Sequence, residues 1–174
     1  MTMLDHRPFQ AADAATICSF PRSADELFFT IPEVAPPIAA DQLAEAILQS
    51  HDPTVGLWDG RVAGYVDFVE TRAKKFCTIG HLVVHPQLRR NGIGTFLAAA
   101  MVQKAIDQYG VRFVRASCMS HNKPAYALFH KIGFRPADMA QRLGPDGDPV
   151  LVIHLHLIKR NWKGRGDRQD PAVG

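Results

Sequence analysis

Apolar positions recur along this chain with two spacings, and each marks a different kind of element. Across residues 93–109, Phe96, Leu97, Ala100, Met101 and Ala105 return every three to four positions, the stripe of an amphipathic helix. Leu43, Ile47 and Leu48 form a similar stripe across residues 41–49, behind Asp41 as a good N-cap candidate. Residues 11–19 and 123–132 also read as helices, the latter closed by Gly133 as a C-cap glycine. β-branched and aromatic runs mark strands at residues 54–58, 62–69, 76–85, 111–118 and 150–158. Residues 7–9 end a short extended segment, and residues 134–136 begin another strand. Asp59-Gly60 is the strongest hairpin signal. Residues 20–37 carry Pro21, Pro32, Pro36 and Pro37 and are too broken for one helix, although residues 24–29 have room for a turn or two.

The resulting order, β-α-α-β-β-β-α-β-α-β-β, mixes antiparallel hairpins with two strand–helix–strand crossovers. It predicts an α/β domain of mixed α+β character: one central, mostly antiparallel sheet of about seven strands with helices on both faces. A chain of 174 residues suits a single such domain, over residues 1–160.

Composition narrows the picture without redirecting it. Hydrophobic residues make up 47% and charged residues 21%, a globular balance, and no run reaches the 18 or so apolar residues of a membrane span. The N-terminus has no basic segment followed by an apolar one, so a secretory signal is not expected. Cys18, Cys77 and Cys118 are far apart, odd in number and match no zinc or disulfide framework, which suits a reducing cytoplasm. The net charge of +3 resides in residues 159–174, while residues 1–158 carry 15 basic and 15 acidic residues. A neutral body argues against nucleic acid as the main partner, and residues 161–174 read as a disordered basic tail.

The chemistry-bearing feature is the loop Arg89-Arg90-Asn91-Gly92-Ile93-Gly94-Thr95. It lies between the buried-strand run Leu82-Val83-Val84 and the longest helix. Glycines let the backbone come close to a guest, and the unpaired amides of a helix N-terminus point at an anion. Arg89 and Arg90 add positive charge, and no acidic residue occurs between Gly80 and Met101. A P-loop is excluded because G-x-x-x-x-G-K-[ST] does not occur. A dinucleotide fingerprint is excluded because Leu97 occupies its third glycine position.

Taken with a second block downstream, these residues resemble the GCN5-related N-acetyltransferase (GNAT) superfamily. The resemblance rests on Leu82-Val83-Val84-His85-Pro86 followed by Arg89-Arg90-Asn91-Gly92-Ile93-Gly94. A second block joins it downstream: Asn122, Ala125, Leu128, Phe129 and Lys131-Ile132-Gly133-Phe134. It implies that the backbone of Leu82, Val83 and Val84 hydrogen-bonds the pantetheine arm of acetyl-coenzyme A, that amides from Arg90 to Thr95 take the pyrophosphate, and that Asn122 and Phe129 lie near the thioester. It further implies acetyl transfer to a primary amine, on a small molecule, a lysine side chain or a peptide, by direct attack in a ternary complex. Superfamily members are often paired, so monomer and homodimer are both open. The segment from Phe20 to Phe29 looks like one from a bacterial branch of the superfamily.

Acyl transfer to an alkylamine requires removal of a proton. With a pKa of about 10.4, only about one part in a thousand is neutral near pH 7.4, a deficit of about 4 kcal/mol. The family usually places a tyrosine at the position of Phe129 to protonate the leaving thiolate. Phenylalanine has no proton to give, and Tyr126, one helical turn earlier, is the nearest substitute. For the base, strict alternation with Leu82 turns Thr78 and Gly80 toward the acceptor and His81 away from it. That leaves Asp25 and Glu26, through water, beside an aromatic wall of Phe28 and Phe29. His154 and His156 read as the polar face of a strand, so no metal site is expected. Phe129 and the missing strand base keep one alternative open, a non-catalytic acyl-coenzyme A sensor.

Overall fold

The computed structural model describes residues 1–31 and 40–164. Pro32, Pro36, Pro37 and residues 165–174 of the expected tail lie outside the described residues. Seven strands form one sheet: β1 (Leu4–Pro8), β2 (His51–Trp58), β3 (Arg61–Arg72), β4 (Phe76–Val84), β5 (Phe113–Met119), β6 (Arg135–Leu143) and β7 (Pro149–Ile158). Their order is β1-β2-β3-β4-β5-β7-β6, and β4–β5 is the parallel pair. The described helices are α1 (Ala14–Cys18), α2 (Ala24–Thr30), α3 (Ala40–Gln49), α4 (Ile93–Tyr109) and α5 (Lys123–Ile132). The mixed α/β class and the seven-strand sheet are as expected. The broken stretch contributes one more helix, α2, nucleated by Ser23, whose side chain accepts from the Glu26 amide.

Each sheet face buries its own apolar set. On one side α4 and α5 lay Leu97, Met101 and Phe129 against Val66, Phe68, Cys77 and Ile79. On the other, Ile17 of α1 and Leu43 and Ile47 of α3 pack on Val55, Tyr65 and Val83. α2 covers only a small third cluster, Phe28 on Met119 and Val152. The β5–β7–β6 half of that face therefore keeps polar side chains.

Two ties, one local and one long-range, hold the N-terminal elements in place. Asp13 accepts two bonds from Arg7 at 2.7 and 2.8 Å, and Glu26 is ion-paired with Arg89. The guanidinium beside each carboxylate holds it below its ordinary range, against a smaller opposing effect of burial. A carboxylate whose folded pKa is depressed contributes stability that is present above its unfolded value and is lost as pH falls. For Glu26 the loss begins near the ordinary value of 4.5. Melting temperature measured from about pH 6 down to about pH 3 is expected to fall more steeply for the wild type than for Glu26→Gln, with the curves converging in acid. Parallel curves would remove the pair as a contributor.

Candidate active site

Strands β4 and β5 pair only from Phe76 to Thr78 against Phe113 to Arg115. Beyond that point β4 follows β3 and β5 follows β7, so the two part. Among the described residues no strand pairs, from Gly80 to Val84, with the β5-facing edge of β4, which presents backbone N–H and C=O groups as a ready template. The gap is a cavity of about 360 Å³, bounded by Gly80 and Leu82 on one wall, Ala116 to Met119 on the other, and Asn122, Ala125 and Phe129 of α5. That size is of the order of small-molecule sites, about 300–1,000 Å³.

Within β4 the alternation expected from sequence fails at one residue. Asp67 pairs with Gly80, yet Tyr65 pairs with Val83, so β4 carries one extra residue. The extra residue is a β-bulge at His81, whose φ is +49°. Cys77 and Ile79 face α4, whereas Val83, after the bulge, faces α1 and α3. His81 is consequently not turned away. It lines the cavity with Thr78 and Gly80, and its ring also borders a recess under α3 lined by Gln42, Glu45 and Gln49.

His81 is 7% exposed, and its Nδ1 lies 2.7 Å from Oδ2 of Asp67, which is fully buried. The Tyr65 hydroxyl donates to that same oxygen at 2.7 Å. Burial, reinforced by the Asp67 charge, raises the Tyr65 pKa far above its ordinary value and keeps the hydroxyl protonated. A carboxylate beside Nδ1 favours the tautomer that carries its proton on that nitrogen. This triad was missed because its partners lie on two strands and meet through the bulge. The signal in the sequence was Tyr65 and Asp67, two residues apart on one face of an otherwise apolar strand.

The glycine loop leads from β4 into the N-terminus of α4. Gly92, at φ +80° and ψ 2°, is the N-cap of α4, a left-handed conformation that costs an L-residue roughly 1–2 kcal/mol. A Cβ there would meet nothing within 4 Å, so the peptide plane stays open to a guest. Gly94 has a different role: a Cβ on it would lie 2.7 Å from Leu128 Cδ1, and its absence lets α5 close on α4. Asn91 braces the loop by donating to the Leu88 and Arg89 carbonyls at 3.0 and 3.2 Å. Arg90 (φ +63°) is exposed, and the first-turn amides of Ile93, Gly94 and Thr95 have no intrahelical acceptor.

Arg89 points elsewhere. It donates to the Val84 carbonyl at 3.2 Å and the Phe20 carbonyl at 3.3 Å, besides its pairing with Glu26. Its charge is thus largely spent on tying α2 to the end of β4 rather than added to the cradle. Glu26 is correspondingly occupied, also accepting from the Arg22 amide at 2.5 Å, and Asp25 is exposed. Neither acid lines the cavity, and neither does Tyr126, whose ring stacks on His130 at 6.0 Å. Phe129 does line it, 4% exposed and held edge-on by Phe134, and Asn122 caps α5 with its side-chain oxygen 3.4 Å from the Ala125 amide. Among the described residues no group of three or more His, Cys, Asp or Glu is placed to hold a metal, and no helix is long and apolar enough to cross a membrane.

A parted parallel pair with a glycine-capped helix at its mouth defines a protein class, and residues 20–134 match the acetyltransferase (GNAT) family. The chain belongs to that family. An N-alpha-acetyltransferase of Sulfurisphaera tokodaii is 31% identical over 109 residues, which span 57% of this chain and 65% of that relative. The match thus covers just under two thirds of the relative's length. Among solved structures, a spermidine N-acetyltransferase from Vibrio cholerae in complex with CoA and spermine superposes with a TM-score of 0.76 at 14% identity, over 91% of this chain and 96% of that one. An acetyltransferase from Salmonella typhimurium with its cofactor acetyl-CoA gives 0.68 at 20% identity, over 90% and 94%. At these identities the likeness establishes a shared fold.

Proposed function

We propose that this protein is an N-acetyltransferase that takes acetyl-CoA as co-substrate and acetylates a primary amine by direct attack in a ternary complex. The observation that carries the reading is the unpaired edge of β4 leading straight into the left-handed cap of α4. One gives a ladder for an amide-bearing arm, the other a field of amides for its phosphates. When bound, acetyl-CoA supplies a thioester carbonyl activated for attack.

The chain's own residues supply the rest. His81 Nε2 takes the proton from the incoming ammonium, Asp67 holds the ring and offsets the charge it gains, and the recess beside Glu45 and Gln49 gives that proton a way out. Amides of the open β4 edge polarise the carbonyl oxygen. The amine nitrogen forms the new C–N bond as the C–S bond breaks, and the second proton that the nitrogen sheds passes through solvent to the departing thiolate. The departing thiolate, with a pKa near 8.5, is a fair leaving group on its own. That makes phenylalanine at 129 compatible with turnover: its ring closes the cavity without offering a proton.

Thiol release followed over a panel of alkylamines, amino acids and lysine peptides tests the reading. At least one acceptor is expected to raise coenzyme A release tenfold or more above the amine-free rate. If the cofactor binds and no acceptor accelerates release, the protein is a sensor of acyl-CoA instead.

A further inference from the structure

The acceptor side of the cavity carries a charge pattern opposite to the one expected from α2. Its charged lining residues are Arg115 of β5, Arg142 of β6 and Glu70 of β3, joined by His154 and His156 of β7; α2 contributes only Phe29 and Thr30. Glu70 is shared between two cations, Arg72 Nε at 3.0 Å and Arg115 at 4.0 Å, so guanidinium charge exceeds carboxylate charge there. Among the described residues, two further acids lie close by but outside the lining: Asp138, 3.9 Å from His154 Nε2, and Asp67, buried behind His81.

Arg115 is also held in place. Its guanidinium sits 4.5 Å over the Phe76 ring, Phe76 stacks on Phe113 at 5.5 Å, and Phe113 packs on His156 at 5.0 Å. Resting on an aromatic platform, with only a 4.0 Å carboxylate contact, the guanidinium keeps most of its forked donors for a guest. Beside it, Thr78 pairs directly with Arg115 across the last rung of the β4–β5 ladder. The Thr78 hydroxyl is buried and has no hydrogen-bond partner among the described residues. The register sets Arg115 beside Thr78 at the closed end of the cleft, three β4 residues from His81. At about 3.3 Å per residue those positions lie about 10 Å apart along the strand.

We infer that the acceptor is an amine that also bears a carboxylate, its amine directed to His81 and its carboxylate held by Arg115 with the Thr78 hydroxyl. The span favours a molecule with the two groups several bonds apart, such as an ω-amino acid or an acidic dipeptide, over an α-amino acid whose charges share one carbon. A diamine of the same length brings a second cation to a cationic wall and is disfavoured. Burial and the Arg115 charge hold His156 below its ordinary value, so at neutral pH it is uncharged beside the carboxylate. The inference rests on the acetyltransfer reading for the role of the amine, not for the binding of the carboxylate.

Four acceptors matched in length isolate the charge: 6-aminohexanoate, its primary amide, hexylamine and 1,6-diaminohexane. In thiol release, kcat/KM for 6-aminohexanoate is expected to exceed that for the amide at least tenfold, with the diamine lowest. Calorimetry of the same four against the protein loaded with coenzyme A is expected to show the same order. Arg115→Gln should bring the carboxylate-to-amide ratio in both measurements below threefold. Arg115→Lys, which keeps the charge and loses the fork, should give an intermediate ratio. If calorimetry shows the preference and no acceptor turns over, the carboxylate site stands and the acetyltransfer reading falls. Equal binding of the four, or a diamine preference, overturns the inference.

Discussion

Replacing Gly92 with glutamate is expected to weaken coenzyme A binding at least a hundredfold by calorimetry, on the reading that this loop cradles the pyrophosphate. Two independent effects add. The residue caps α4 at φ +80°, where any L-side chain is strained by roughly 1–2 kcal/mol. The new carboxylate would also compete for the amides of Ile93, Gly94 and Thr95, the donors meant for phosphate. Gly92→Ala separates the two, because it introduces the strain without the anion. Nothing lies within 4 Å of an added Cβ, so alanine meets no steric clash and should cost tenfold or less. Affinity for coenzyme A unchanged in the glutamate variant would remove the loop from the cofactor site.

His81→Gln should lower kcat near neutral pH by about 10²–10⁴, the usual contribution of a positioned acid or base. KM for acetyl-CoA should stay within about threefold, since His81 faces the acceptor side of β4. The pH profile distinguishes this role from a structural one. Without a proton acceptor the variant depends on the neutral amine already in solution, which grows tenfold per pH unit below the amine pKa of about 10.4. Its deficit should therefore shrink as pH rises, whereas a misfolded site would stay impaired at every pH. Asp67→Asn offers a second view. It keeps the shape beside Nδ1 and removes the carboxylate that fixes the tautomer, so it should reproduce the pH dependence with a smaller loss. A fall in kcat of less than threefold for His81→Gln would exclude the histidine as base.

The parts of this fold that could be read in advance were those governed by short-range periodicity. α4 and α5 span Ile93–Tyr109 and Lys123–Ile132, as their apolar stripes and terminal glycines indicate. β6 was visible only at its start because it runs Arg135–Leu143 along a sheet edge, exposed throughout, and so carries no buried alternation to detect. The glycine loop was legible because a left-handed cap restricts which residue can occupy it. His81 was misjudged for the opposite reason. A bulge changes the face of a side chain without any local requirement on residue type, and its partners are 14 and 16 positions away. The directions of Arg89 and Glu26 were equally hidden, since their pairing joins positions 63 residues apart.

The parting of β4 from β5 has a further consequence for the life of the protein before it meets a ligand. An exposed strand edge recruits whatever extended chain comes by, including another copy. Among the described residues, β4 pairs with β3 alone beyond Thr78, which leaves one rung of the sheet open. On the acetyl-CoA reading, the cofactor's amide-bearing arm occupies that rung. Acetyl-CoA would then act as the protein's own folding partner as well as its acetyl donor, shielding the adhesive edge and adding stability that grows with its concentration. Solubility, resistance to aggregation and catalytic readiness would all follow one variable, the supply of the co-substrate.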